Sequence, residues 1–157
     1  TVVAGDELCF VFASKFSDGL NSSPYTLSNF ILPACPPPPF SDCYDASNWT
    51  ATTANTNGSI SNDGETIVMT GDTDGTGTGL DEIDCSATDG NVSYCITVPN
   101  SGDITFDWEG PGGFTFNPFV EKFGYCLNGV ATELTSLDPP PFGMRIIEQF
   151  QRSISIL

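Results

Sequence analysis

Two groups of residues in this chain have types and spacings that could do chemistry. The first is rich in oxygen: Gly71-Asp72-Thr73-Asp74-Gly75-Thr76-Gly77, with Asp81, Glu82 and Asp84 just beyond. Ca²⁺ takes roughly six to eight oxygens from carboxylates and backbone carbonyls on a pliable loop, and Asp72, Asp74, Asp81 and Asp84 could supply them. The spacing is not that of an EF-hand, because Leu80 and Ile83 fall where the ninth and twelfth ligands belong. A solvated acidic loop explains the same residues, so no cofactor is required and calcium is an optional one. The second group is the cysteines, six in all. Cys85 and Cys95 stand nearly symmetrically about Asp89-Gly90, which suggests a bridge across a hairpin. Cys35 and Cys43 bracket a run of prolines and could clasp it. Cys9 and Cys126 then remain to join two sheets or two units, although six cysteines allow other pairings.

Two weaker constellations complete the inventory. Asp107 and Glu109 flank Trp108, and residues two apart on a strand share a face at about 7 Å, within reach of glycosidase geometry. With 20 acidic residues in the chain such pairs arise by chance, and the expectation is that the protein is not an enzyme. Trp49, Trp108 and Tyr125 could stack on sugars, but aromatic side chains of this kind more often belong to a core. Asn21, Asn48, Asn57 and Asn91 each begin an Asn-x-Ser/Thr sequon.

The elements that must position these residues are β-strands. The chain has 157 residues, 16 of them glycine and 12 proline, and only 15% are charged. Its 20 acidic and 4 basic side chains give a formal charge of −16, and it has no histidine. Nucleic acid is an improbable partner for such a surface, and histidine-dependent triads are excluded. No run of apolar residues is long enough to span a membrane as a helix. Cysteines in this loop-rich acidic setting read as disulfides, which places the protein outside the cell or at its surface.

Short alternating segments recur along the chain. Leu8, Phe10 and Phe12 alternate with Cys9 and Val11 in a strand that could be buried on both faces, and Tyr25 to Leu32 reads as its hairpin partner across a long loop. Weak and stronger strands follow at Gly58–Ile60 and Glu65–Thr70, then at Leu80–Cys85 and Val92–Val98. Ile104, Phe106 and Trp108 alternate with Thr105 and Asp107, and Phe123 to Leu127 leads into Asn128-Gly129, a tight hairpin turn. Pro36 to Pro39 and Pro139 to Pro141 are extended linkers. The organisation expected is therefore a closing hairpin at 1–34 belonging to a preceding or neighbouring unit, a proline-rich linker at 35–42, and a sandwich unit at 43–157 with a second linker at 138–141. Phe142 to Leu157 reads either as a short helix around Met144–Arg152 or as strands. The strand reading gains from a loose match of Thr26-Leu27-Ser28 with Ser153-Ile154-Ser155.

The motifs Gly102-Asp103-Ile104-Thr105-Phe106-Asp107-Trp108 and Phe123-Gly124-Tyr125-Cys126-Leu127-Asn128-Gly129 resemble the β-sandwich repeats of very large secreted or surface proteins of Bacteroidetes, including gliding and adhesion proteins. Gly5-Asp6 through Phe10, and Ser28-Asn29-Phe30, resemble the closing strand pair of those repeats. The resemblance implies a structural or adhesive role and carries over no catalytic residue. The expectation is thus an all-β, jelly-roll-like antiparallel sandwich with strands exchanged between neighbouring units. It would be part of a surface fibre or filament whose partners are copies of itself or adjacent repeats. A carbohydrate-binding module that recognises surface glycans, with or without calcium, is the alternative.

Overall fold

A computed structural model describes residues 1–14, 24–33, 42–53, 57–71, 83–86, 91–110, 121–135 and 151–156. Among the described residues ten strands are formed: β1 (Glu7–Ser14), β2 (Tyr25–Ile31), β3 (Thr50–Thr52), β4 (Ser59–Asn62), β5 (Ile67–Thr70), β6 (Asn91–Thr97), β7 (Ile104–Glu109), β8 (Glu121–Leu127), β9 (Val130–Glu133) and β10 (Gln151–Ile156). They make two antiparallel sheets, ordered β3-β6-β1-β8-β9 and β10-β7-β2-β5-β4. Single 3-10 turns at Asp42–Tyr44 and Ala46–Asn48 lead into β3.

The period of two in the sequence decides which side chains meet between the sheets. Leu8, Phe10 and Phe12 point inward from the first sheet, and Ile104, Phe106 and Trp108 from the second, all nearly inaccessible to solvent. Phe10 sits at the centre, edge-on to Phe106 at 5.1 Å and stacked on Trp49 at 5.9 Å. Towards one end Tyr25 stacks on Phe123 at 5.0 Å. Such aromatic pairs add about 0.5–1.5 kcal/mol each beyond the area they bury. The packing of these faces makes the molecule a two-sheet β-sandwich.

Asn128-Gly129 forms the expected hairpin between β8 and β9, with φ of 50° and 78°. The pair also closes one end of the first sheet. Asn128 N–H donates to the Glu7 carbonyl, its Oδ1 accepts from Glu7 N–H, and its Nδ2 donates to Asp6 Oδ1, each at 2.9 Å. The Asn128 amide is the largest cause of the lowered Asp6 carboxyl pKa.

The hairpin expected from β1 and β2 is not formed. β1 is the middle strand of the first sheet, between β6 and β8, and β2 is the middle strand of the second, between β7 and β5. β1 is apolar and buried on both faces from Leu8 to Ala13 and takes the middle of one sheet, while β2 alternates and lies in the other. Within the chain, β1, β2 and β10 pair with strands of the same sandwich. The strand expected over Leu80–Cys85 is absent at Ile83 to Cys85, which run outside any strand. At the far end, Gln151–Ile156 is a strand paired with β7, with Ser153 opposite Asp107. Residues 34–41 and 136–150, which hold both proline linkers, lie outside the described residues.

Candidate functional site

Sulfur chemistry is concentrated on the outer face of the first sheet. Cys95 on β6, Cys9 on β1 and Cys126 on β8 stand in one row across three neighbouring strands. Cys9 is bonded to Cys95, with Cα atoms 4.0 Å apart, and Cys126 to Cys85, at 5.7 Å. Cys43 is disulfide-bonded as well. Two expected bridges are therefore corrected: neither Cys85–Cys95 nor Cys9–Cys126 is made.

The backbone explains the choice. The Glu7 carbonyl accepts from Asn128 N–H, so Glu7 directs its polar groups toward β8, and with a period of two Cys9 does the same. Cys9 and Cys126 thus form a hydrogen-bonded pair, whereas Cys9 and Cys95 form a non-hydrogen-bonded pair. Side chains lie closer in the second kind, by about 1 Å between Cα atoms. Cys9 closes on its nearer neighbour, and Cys126 is left for a cysteine arriving from outside the sheet.

That cysteine is carried by the segment 83–86, which crosses the outer face as a strap. Ile83 packs on Val11, Cys9 and Cys126, forming a small apolar layer separate from the main core. Gly124 on β8 makes room for it, since a Cβ there would overlap Ile83 Cδ1 and the Thr132 carbonyl oxygen. Asn91, 2% exposed, donates from Nδ2 to the Asp84 carbonyl at 3.1 Å. Asp84 Oδ1 accepts from both the N–H and the hydroxyl of Ser86. β1 is consequently buried on both faces, as its run of apolar residues suggests. Beside the strap is an open groove of about 430 Å³, lined by Ile83, Asp84, Cys85, Ser86, Gly129 and Ala131.

Of the four carboxylates considered for calcium, Asp84 belongs to this strap, while Asp72, Asp74 and Asp81 lie outside the described residues. Among the described residues no group of three or more acidic, cysteine or histidine side chains is placed to hold a metal ion. Trp49 and Trp108 are 7% and 4% exposed, and Tyr125 packs partly buried against the core. The aromatic platform that a sugar-binding surface would need is not built from them. Asp107 accepts from Asn29 Nδ2 at 2.8 Å on the outer face of the second sheet, and Glu109 is exposed two residues on.

The sequons are sorted by burial. Asn91 is enclosed under the strap, and Asn48 turns its amide back onto the carbonyls of Asp42 and Cys43. Asn57 is exposed; Asn21 is outside the described residues. Tyr44 is fully buried in the main core, its hydroxyl without a hydrogen-bond partner among the described residues, and burial pushes its pKa up to about 12.

Sequence reasoning missed Ile83 and Gly124, which together seat the strap. A lone glycine between Phe123 and Tyr125 in an otherwise bulky strand is a signal of close approach by another part of the chain. No family model matches the chain, and neither a curated protein nor a solved structure shows significant similarity to it.

Proposed function

We propose that this protein is a structural or adhesive module of an extracellular or cell-surface assembly, joined to copies of itself or to adjacent repeats by strand pairing and stiffened by disulfides within each copy. One observation carries the reading. Cys9–Cys95 cross-links the neighbouring strands β1 and β6 sideways, and Cys85–Cys126 ties β8 to the strap, in addition to the hydrogen bonds of the sheet. Cross-links of this kind resist the opening of a sandwich by pulling or by proteolysis. They suit an oxidising compartment, and no described helix is long and apolar enough to cross a membrane. The edge strands β3, β4, β9 and β10 supply backbone groups for pairing with a neighbour.

The test is the particle's state in solution. Sedimentation and electron microscopy at rising concentration should reveal oligomers or filaments, and proteolytic nicking of residues 151–156 should reduce them. A compact monomer at every concentration would defeat the proposal.

A further inference from the structure

We propose that Cys85–Cys126 is a thiol–disulfide exchange site, attacked at Cys85 through the groove beside the strap by the thiolate of a neutral or cationic partner. This holds whether or not the chain belongs to a fibre. The two disulfides of the outer face differ in what holds their ends. Cys9 and Cys95 lie on adjacent central strands, locked in register by pairing on both sides of β1 and by β3 beyond β6. Once opened, those two sulfurs would remain face to face and re-close at a high effective concentration. Cys85 belongs to no strand. Ile83, the Asn91 bond to Asp84 and the disulfide itself are among the contacts of its segment, which pairs with no strand among the described residues, so an opened Cys85 is not kept in register with Cys126.

Access selects the sulfur. Cys85 is partly exposed and lines the groove, whereas Cys126 is 2% exposed beneath the strap. The attacking thiolate forms a bond to Cys85 Sγ, the Cys85–Cys126 bond breaks, and Cys126 leaves as a thiolate that takes a proton from water. A second thiol can then attack the mixed disulfide, releasing Cys85 as a thiol and the partner as its own disulfide. Charge selects the partner. A chain of formal charge −16 repels anionic thiols and attracts cationic ones at low ionic strength.

The experiment treats the oxidised protein, natively folded, with cysteamine in low salt, followed by iodoacetamide and peptide mapping. The expected product carries cysteamine on Cys85 and the alkyl group on Cys126, with Cys9–Cys95 intact and opening at least about tenfold more slowly. An adduct on Cys126, or opening of Cys9–Cys95 first or equally fast, would overturn the proposal. The anionic 2-mercaptoethanesulfonate, compared at equal thiolate concentration, should react about threefold or more slowly than cysteamine, the gap closing in salt. Equal rates in low salt would overturn the partner class. Ile83→Ala should speed exchange at Cys85 severalfold, and by a larger factor than any change at Cys9–Cys95, which Ile83 also touches; an unaltered rate at Cys85 would overturn the proposal.

Discussion

Gly124→Ala puts the strap and the β8–β9 hairpin to the test with one methyl group. Gly124 does not have positive φ, so alanine can adopt its backbone conformation. On chain entropy alone the substitution should stabilise by about 0.4–1 kcal/mol, because the unfolded chain loses freedom. The structure reverses that sign. The new Cβ would overlap the carbonyl oxygen of Thr132 and the Cδ1 of Ile83, and would lie 3.1 Å from Glu133 Cα. Ile83 can rotate, but the carbonyl is fixed by the ladder pairing Gly124 with Glu133 and Tyr125 with Thr132. Overpacking of this kind costs about 1–3 kcal/mol, leaving a net loss of about 1–2 kcal/mol. In a chain of 157 residues that lowers the melting temperature by about 2–8 °C. Urea and thermal unfolding with the disulfides intact would measure it. In an Ile83→Ala background the cost should shrink but persist, since the backbone contacts with Thr132 and Glu133 remain. A Gly124→Ala protein as stable as the parent, or more so, would refute the placement of both strap and hairpin.

Two further outcomes are expected. Tyr44→Phe removes a buried hydroxyl that has no partner among the described residues and should stabilise by about 1 kcal/mol at neutral pH. In the parent, the raised Tyr44 pKa contributes stability that is complete below the ordinary tyrosine pKa of 10.0 and is lost as pH rises toward about 12; urea titrations over pH 8–12 should show that decline weakened in the variant. Asn128→Ala places a side chain with a Cβ but no amide at φ 50° and deletes the bonds to Glu7 and Asp6, with an expected loss of about 2–3 kcal/mol. Asn128→Gly should recover the backbone part of that loss only, so a glycine variant as unstable as the alanine one would place the whole effect in the side-chain bonds.

Much of the sandwich is legible in single residues. Ile104, Phe106 and Trp108 alternate with polar neighbours, and in a strand that spacing can bury only one face. Asn128 and Gly129 tolerate positive φ, and the hairpin forms there. The double burial of β1 is legible too, because Cys9 and Val11 separate Leu8, Phe10 and Phe12 without adding a charge. The candidate site was legible only as a set of cysteines. Symmetry about Asp89-Gly90 pointed to Cys85–Cys95, but sequence symmetry says nothing about which strands become neighbours.

What the sequence by itself determines is local: period, turn chemistry, and a composition of six cysteines and 20 acidic against 4 basic side chains. Each follows from a residue's own conformational and chemical preferences. The tertiary structure decides that β1 and β2 part company between two sheets, that Trp49 and Trp108 become core, and that Cys9 chooses Cys95. These depend on register, since in an antiparallel sheet the direction of one residue's N–H and C=O determines which lateral neighbour its side chain meets closely. A pattern with period two records which face a residue belongs to, but not which strand will lie beside it.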